Sequence, residues 1–189
     1  VRGRRVWDSR WLPSNEVEVE TVSGARGRGI APAGASTGIR EAIELRDGGD
    51  VLGGKDVASA VGIVGSSIAR ALVGQNVGDQ AHVDSLLDAL DPDPQRSNVG
   101  GNTTVATSLA VLHAAAASRG IPAWRLLNPA PQRIPRPQIQ ILGGGAHAAA
   151  ALGGPLGQVE LRRNAEVRKR GPGIRGRVEC DDQIDEARR

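Results

Sequence analysis

Across residues 16–22 apolar and charged positions alternate, with Val17 and Val19 on one side of an extended chain and Glu16, Glu18 and Glu20 on the other. A period of two with one apolar side predicts a half-buried antiparallel strand. Residues 5–9 read as a partner strand and residues 28–31 as a third, and Ser23-Gly24-Ala25-Arg26-Gly27 offers the hairpin connection between the second and third. From Lys55 the period lengthens. Val57, Val61, Val64, Ile68 and Leu72 form one helical stripe, and Val83, Leu86, Leu87 and Leu90 form another behind Asp79, a good N-cap. Asp91-Pro92-Asp93-Pro94 stops that helix, because proline disfavours helical backbone at the residue before it. Asn102 is placed to cap a third helix, with Val105, Leu109, Leu112 and Ala116 as its apolar side and Gly120 and Pro122 as its stop. A sheet followed by helices predicts an α+β fold: a small antiparallel three-stranded sheet and then a helical bundle.

Beyond Pro129 the pattern weakens. Ile134-Pro135-Arg136-Pro137 is extended, and residues 138–142 could form one more strand running into Gly143-Gly144-Gly145. From about Ala151 no periodicity persists, and residues 160–189 mix acidic and basic groups in no helical or strand order. That is the composition of a solvated tail.

Composition narrows the function classes. All 189 residues include no Phe, Tyr or Met and only Trp7, Trp11 and Trp124 as aromatics, so the core must be aliphatic. The net charge of +3, with no basic patch in an aromatic or recognition-helix context, argues against nucleic-acid binding. All basic residues except Lys55 and Lys169 are arginine, which reads as genome composition rather than function. Cys180 is the only cysteine, so no internal disulfide forms and a reducing compartment fits. No apolar run approaches the ~20 residues of a membrane span. The basic start, Val1 to Arg5, carries no apolar stretch, and the expected location is cytoplasmic.

The chemistry lies in the loop after the third strand: Ala31-Pro32-Ala33-Gly34-Ala35-Ser36-Thr37-Gly38, followed by Arg40-Glu41-Ala42-Ile43-Glu44-Leu45-Arg46-Asp47-Gly48. Gly34 and Gly38 bracket a connection to which glycine gives unusual backbone freedom. Ser36 and Thr37 present hydroxyl oxygens, which suit either a hard cation or hydrogen bonds within their own turn. These two runs resemble the Gly-Ala-Ser-Thr-Gly loop and the Glu-Leu-Arg-Asp-Gly run of enolases. Asp8-Ser9-Arg10 and Glu16-Val17-Glu18-Val19 precede them in the family's order. Gly53-Gly54-Lys55, Asp79-Gln80, Ser108-Leu109-Ala110-Val111, the alanine run 114–117 and Gly144-Gly145-Ala146-His147 follow.

The resemblance covers roughly residues 4–148. It implies Mg2+-dependent, reversible dehydration of 2-phosphoglycerate to phosphoenolpyruvate, the phosphopyruvate hydratase step of glycolysis, a carbon–oxygen lyase reaction. It implies that the loop Gly34, Ala35, Ser36, Thr37 and Gly38 folds over substrate, with Ser36 giving oxygen ligands to a second magnesium ion. His147 takes the place of the histidine in a second lid. Arg10 and Glu18 fall in stretches that, in the family, help form a dimer contact around the small sheet. His82 and His113, without ligand-spaced partners, read as structural or solvated.

The departures carry expectations too. Trp11-Leu12 stands where the family has Gly-Asn, and a positive φ there would strain a tryptophan. Gly143 replaces an asparagine, and Pro155-Leu156 stands where a Gln-Glu pair enters the family's active site. The family's magnesium carboxylates and lysine base sit on a carboxy-terminal barrel that needs ~200 residues, and only about forty follow His147 here. Glu179, Asp181, Asp182, Asp185 and Glu186 cluster without a rigid frame to hold an ion. The expected organisation is an amino-terminal domain over 1–128, a linker with the first barrel strand over 129–148, and an unmatched tail over 149–189. On this reading the chain alone is inactive. Its alternatives are a non-catalytic module that associates with full-length enolase through the sheet, or a frameshifted remnant.

Overall fold

In the computed structural model the described residues are 1–34 and 38–134, with the backbone of Val159–Leu161 and Val167–Lys169. The chain divides into two compact units, Val1–Gln132 and Arg133–Arg189.

The first unit opens with β1 (Arg2–Trp7), β2 (Pro13–Glu20) and β3 (Arg26–Ala31), an antiparallel sheet in the order β1-β2-β3. All three strands begin two or three residues earlier than the alternation predicts. β2 can start at Pro13 because the first residue of a strand tolerates a missing N–H. Its far end is set by Thr21, whose backbone N–H donates to the Ala25 carbonyl at 2.9 Å and whose hydroxyl accepts from the Ala25 N–H at 3.0 Å. Gly24 supplies the left-handed residue of that turn at φ 85°.

Val17 and Val19 are buried as predicted, but Glu16, expected on the solvated side, is buried as well. The register explains it: Arg4 lies directly opposite Glu16 and its guanidinium binds the carboxylate, and Glu18 also faces Arg4 at 3.7 Å. A carboxylate leaves water without large cost only when it is paired in this way.

The predicted first helical stripe is realised by α1 (Ala58–Ile63), a π-helical turn (Val64–Ile68) and α2 (Ala69–Leu72). Val57, Val64, Ile68 and Leu72 are buried, and Val61 is half-buried. α3 (Gln80–Leu90) begins as expected, with the Asp79 carboxylate accepting from the His82 N–H at 3.0 Å, and buries Val83 and Leu87. The helix ends before Asp91, as Pro92 requires. Asp91 itself is fully buried and organises the next loop, accepting from the backbone N–H groups of Asn98 and Val99 at 2.9 and 2.7 Å.

α4 (Gly101–Ser118) departs most from the pattern. Its buried face includes Thr103, Ala106, Thr107, Ala110, Val111 and Ala114; of the side expected in the core, Ala116 is buried and Leu112 half-buried, whereas Val105 and Leu109 are exposed. The reason lies on β3. A Cβ built on Gly27 would fall 2.2 Å from the Ala110 carbonyl oxygen, and one on Gly29 would fall 2.1 Å from that of Ala106. Strand and helix backbones touch there, so the helix must present its smallest residues, and the larger aliphatics are turned away. A short α5 (Ala123–Leu127) follows.

In the second unit β4 (Val159–Leu161) pairs antiparallel with β5 (Val167–Lys169), Glu160 opposite Arg168. The sequence pattern anticipates no strand there, since three residues are too few to show a period. The predicted strand over 138–142 lies outside the described residues.

Candidate functional site

The loop singled out by sequence leaves the end of β3 and returns through residues 38–50, which form no regular element. Backbone without a ladder must find its hydrogen bonds elsewhere, and here Gly38, Glu41, Ile43, Leu45, Asp47, Gly48 and Asp50 do. Ile43 donates its N–H to the Gln95 carbonyl at 2.6 Å and accepts from the Gly101 N–H at 2.7 Å. Leu45 is held at both backbone groups by one side chain: its N–H donates to Asn102 Oδ1 at 3.0 Å, and its carbonyl accepts from Asn102 Nδ2 at 3.2 Å. Arg46 donates to the carbonyls of Pro13 and Lys55 at 2.5 and 2.6 Å and to Glu44 Oε1 at 2.7 Å. Asp47 accepts from the N–H groups of Ala58 and Ser59 at 2.7 and 2.9 Å, so it caps α1 from eleven residues away.

Asn102 was expected as the cap of α4 and is not. Gly100, at φ 89°, occupies that position, and Asn102 is inside the first turn, buried. The pair Gly100-Gly101 was the available signal, since a Cβ at either position would strike Leu45, Asn102 or Ala42. Those glycines let segment 42–45 lie directly against the start of α4.

Between this segment, the end of β3 and α4 there is a cleft of about 320 Å³, lined among others by Ile30, Pro32, Gly34, Glu41, Glu44 and Val105. Its wall is mainly apolar with two carboxylates. Glu41 Oε2 accepts from the Gly38 N–H at 2.8 Å, and Glu44 is paired with Arg46. Of the predicted loop residues, Gly34 and Gly38 stand exposed on the two sides of the loop, Gly34 on the cleft. Gly38 has no left-handed φ, and a Cβ there would meet Glu41 at an ordinary 3.7 Å, so nothing in this conformation demands glycine at that position. Ala35, Ser36 and Thr37 lie outside the described residues, as does His147. Among the described residues no group of three or more His, Cys, Asp or Glu side chains is placed to hold a metal ion.

Upstream, the loop is tied to the β1–β2 turn: Arg10 donates to the Ala33 carbonyl, turned toward the loop. Asp8 shapes that turn by accepting from the N–H groups of Arg10 and Leu12 at 2.8 and 2.9 Å, and the Leu12 bond leads in holding its carboxyl below the usual 3.8. Trp11 sits in the same turn at φ 59°, the strained conformation the sequence warned of. Downstream, hydrogen bonding from Ser59 holds Asp47 below the usual value, and that from Arg5 does the same for Asp56. Arg5 grips Asp56 through one nitrogen, at 2.8 and 2.7 Å from its two oxygens. His113 donates from Nδ1 to the Arg28 carbonyl at 2.6 Å and so joins α4 to β3, as a structural role requires. His82 is exposed against Gln75.

Residues 1–127 match the family described as the N-terminal domain of enolase. Enolase 1 of Lactococcus lactis subsp. cremoris is 42% identical over 152 residues, which is 80% of this chain and 36% of that protein. Enolase 2 of Lactococcus lactis subsp. lactis is likewise 42% identical over 152 residues, with the same coverage. The chain therefore spans about a third of the length of these curated relatives.

Proposed function

The chain belongs to the enolase family, in the part that forms its N-terminal domain, and from that premise we propose that its loop around Ser36 serves a Mg2+-dependent interconversion of 2-phosphoglycerate and phosphoenolpyruvate. The observation that carries the proposal is the placement of Gly34 and Gly38. They bracket Ser36 in sequence, and Gly34 lines a cleft of about 320 Å³ on whose far side Asn102 holds both backbone groups of Leu45.

The donors here suit the ion. Ser36 and the cleft carboxylates offer oxygen only, the chemistry a hard divalent cation prefers. Ser36 is the residue that the enolase resemblance gives to hold it, while Glu41 and Glu44 are each engaged through one oxygen, by the Gly38 N–H and by Arg46. When bound, such an ion supplies positive charge toward substrate oxygens. The chain's own share is to position that hydroxyl and to exclude water with the apolar wall of Ile30, Pro32 and Val105. His147, as the second lid residue, would donate to a substrate phosphate or carboxylate oxygen. A cytoplasmic location goes with this reading. No helix among the described residues is long and apolar enough to cross a membrane.

A chimera tests it. Residues 1–134 replace the matching segment of the Lactococcus lactis Enolase 1, and Mg2+-dependent formation of phosphoenolpyruvate is followed. Turnover should survive the exchange and fall about 10- to 100-fold on Ser36→Ala, the range typical when a group that orients a metal site is removed. Equal turnover with and without the Ser36 hydroxyl overturns the assignment. The unfused chain, about a third of the relatives' length, is expected to form no phosphoenolpyruvate in the same assay.

A further inference from the structure

We infer that Arg10 is a positioning residue for the functional loop, holding its upstream flank as Asn102 holds its downstream flank. Three observations converge on it. Its guanidinium donates to the Ala33 carbonyl, across 23 residues of sequence, at the point where the chain leaves β3 for the loop. Its neighbour Asp8 has a nearly buried side chain, and Oδ2 of that carboxylate has no hydrogen-bond partner and lies 3.7 Å from the Arg10 guanidinium. The turn presenting Arg10 is strained at Trp11, with φ 59° for a bulky exposed residue. Strain of this kind persists only where the surrounding structure enforces it. Here the enforcing contacts are those of Asp8: its carboxylate takes two backbone N–H groups, its own N–H bonds the Leu12 carbonyl at 2.9 Å, and its carbonyl accepts from the Trp11 N–H at 3.0 Å.

The consequence is geometric. The Ala33 carbonyl and the Gly34 N–H share one rigid peptide plane. Fixing that oxygen fixes the peptide plane that joins Ala33 to Gly34. The segment that emerges is fixed by another element through Leu45. The two flanks of the loop are thus held inside this domain, the upstream one at Ala33 by Arg10 and the downstream one at Ile43 and Leu45 by Gln95, Gly101 and Asn102.

This rests on the reading of the loop around Ser36 as the functional one, but its test needs no turnover. In the full 15N-labelled chain, the amide order parameter of Gly34 should drop in Arg10→Ala from the value of rigid backbone, about 0.85, to below about 0.6. That of Leu45, held by Asn102, should stay unchanged. Arg10→Lys, which restores one cationic donor within reach of a single carbonyl, should recover most of the order at Gly34. An unchanged Gly34 in Arg10→Ala overturns the inference, as does a parallel loss at Gly34 and Leu45 or a lysine variant that restores nothing. Failure of the enzymatic reading would instead appear as a Ser36-independent chimera, a separate result.

Discussion

Single residues in this domain show where side-chain chemistry and backbone demands conflict. Trp11 holds a left-handed backbone with most of its side chain in water, so it bears the cost of φ 59° without the gain of burial. A side chain in that region costs about 1–2 kcal/mol, part of which returns as lost entropy when glycine replaces it. Trp11→Gly should therefore stabilise the fold by about 0.5–1 kcal/mol, seen as a higher midpoint in urea with an unchanged slope. Asn15 poses the opposite conflict, a polar group in a dry site. It is fully buried between Ser14 and Glu16, its Oδ1 has no partner, and its Nδ2 reaches Thr103 Oγ1 only at 3.4 Å. Asn15→Val, close in volume and suited to a strand, should raise stability by about 1–2 kcal/mol because a buried orphan acceptor disappears. A lower urea midpoint for Asn15→Val would mean that the 3.4 Å contact is the stronger effect.

At the scale of elements, what was legible in the sequence was whatever a period alone could encode. The alternation at Val17 and Val19, the stripe from Val57 to Leu72 and the Asp79 cap all appear where the pattern placed them. α4 was misread because the rule that large aliphatics face inward fails when the partner element has no side chains. Gly27 and Gly29 make β3 such a partner, and the alanines of α4 are the answer to it. Gly29→Ala should accordingly cost several times more than a strand glycine's propensity, about 3 kcal/mol or more, since the added methyl meets helix backbone that cannot rotate away. Circular dichroism should show the same spectrum with a much lower melting point, and a loss below about 1 kcal/mol would contradict direct backbone contact. The candidate site was legible in its residue types and invisible in its supports. Arg10, Asn102 and Asp47 act across 23, 57 and 11 residues of sequence, and no local pattern carries contacts of that range.

For the molecule as a whole, three buried or bonded carboxylates, Asp47, Asp56 and Asp91, fix how stability must follow pH. Asp47 is held below the usual 3.8 by hydrogen bonds from Ser59 and Ala58, and Asp56 by Arg5 and the Val57 N–H. Burial by itself would raise Asp91, but the Val99 and Asn98 donors outweigh it and the net shift is downward. A carboxyl with a depressed folded pKa binds its proton more readily in the unfolded chain. Each of the three therefore contributes stability that is complete above the unfolded value of 3.8 and is lost as pH falls through the folded one. The melting temperature should be nearly flat from pH 7 to about 5 and fall steeply below about 4. Asp91→Asn sharpens the test, because a neutral amide at that position imitates the protonated acid at every pH. The variant should be less stable than the wild type at pH 7, and the gap should close only as pH falls through the depressed folded value of Asp91, where the wild-type carboxyl becomes neutral too. A gap that stays constant across the acid range would show that the loop over 91–99 depends on the shape of Asp91 rather than on its charge, and would leave Asp47 and Asp56 to carry the acid transition.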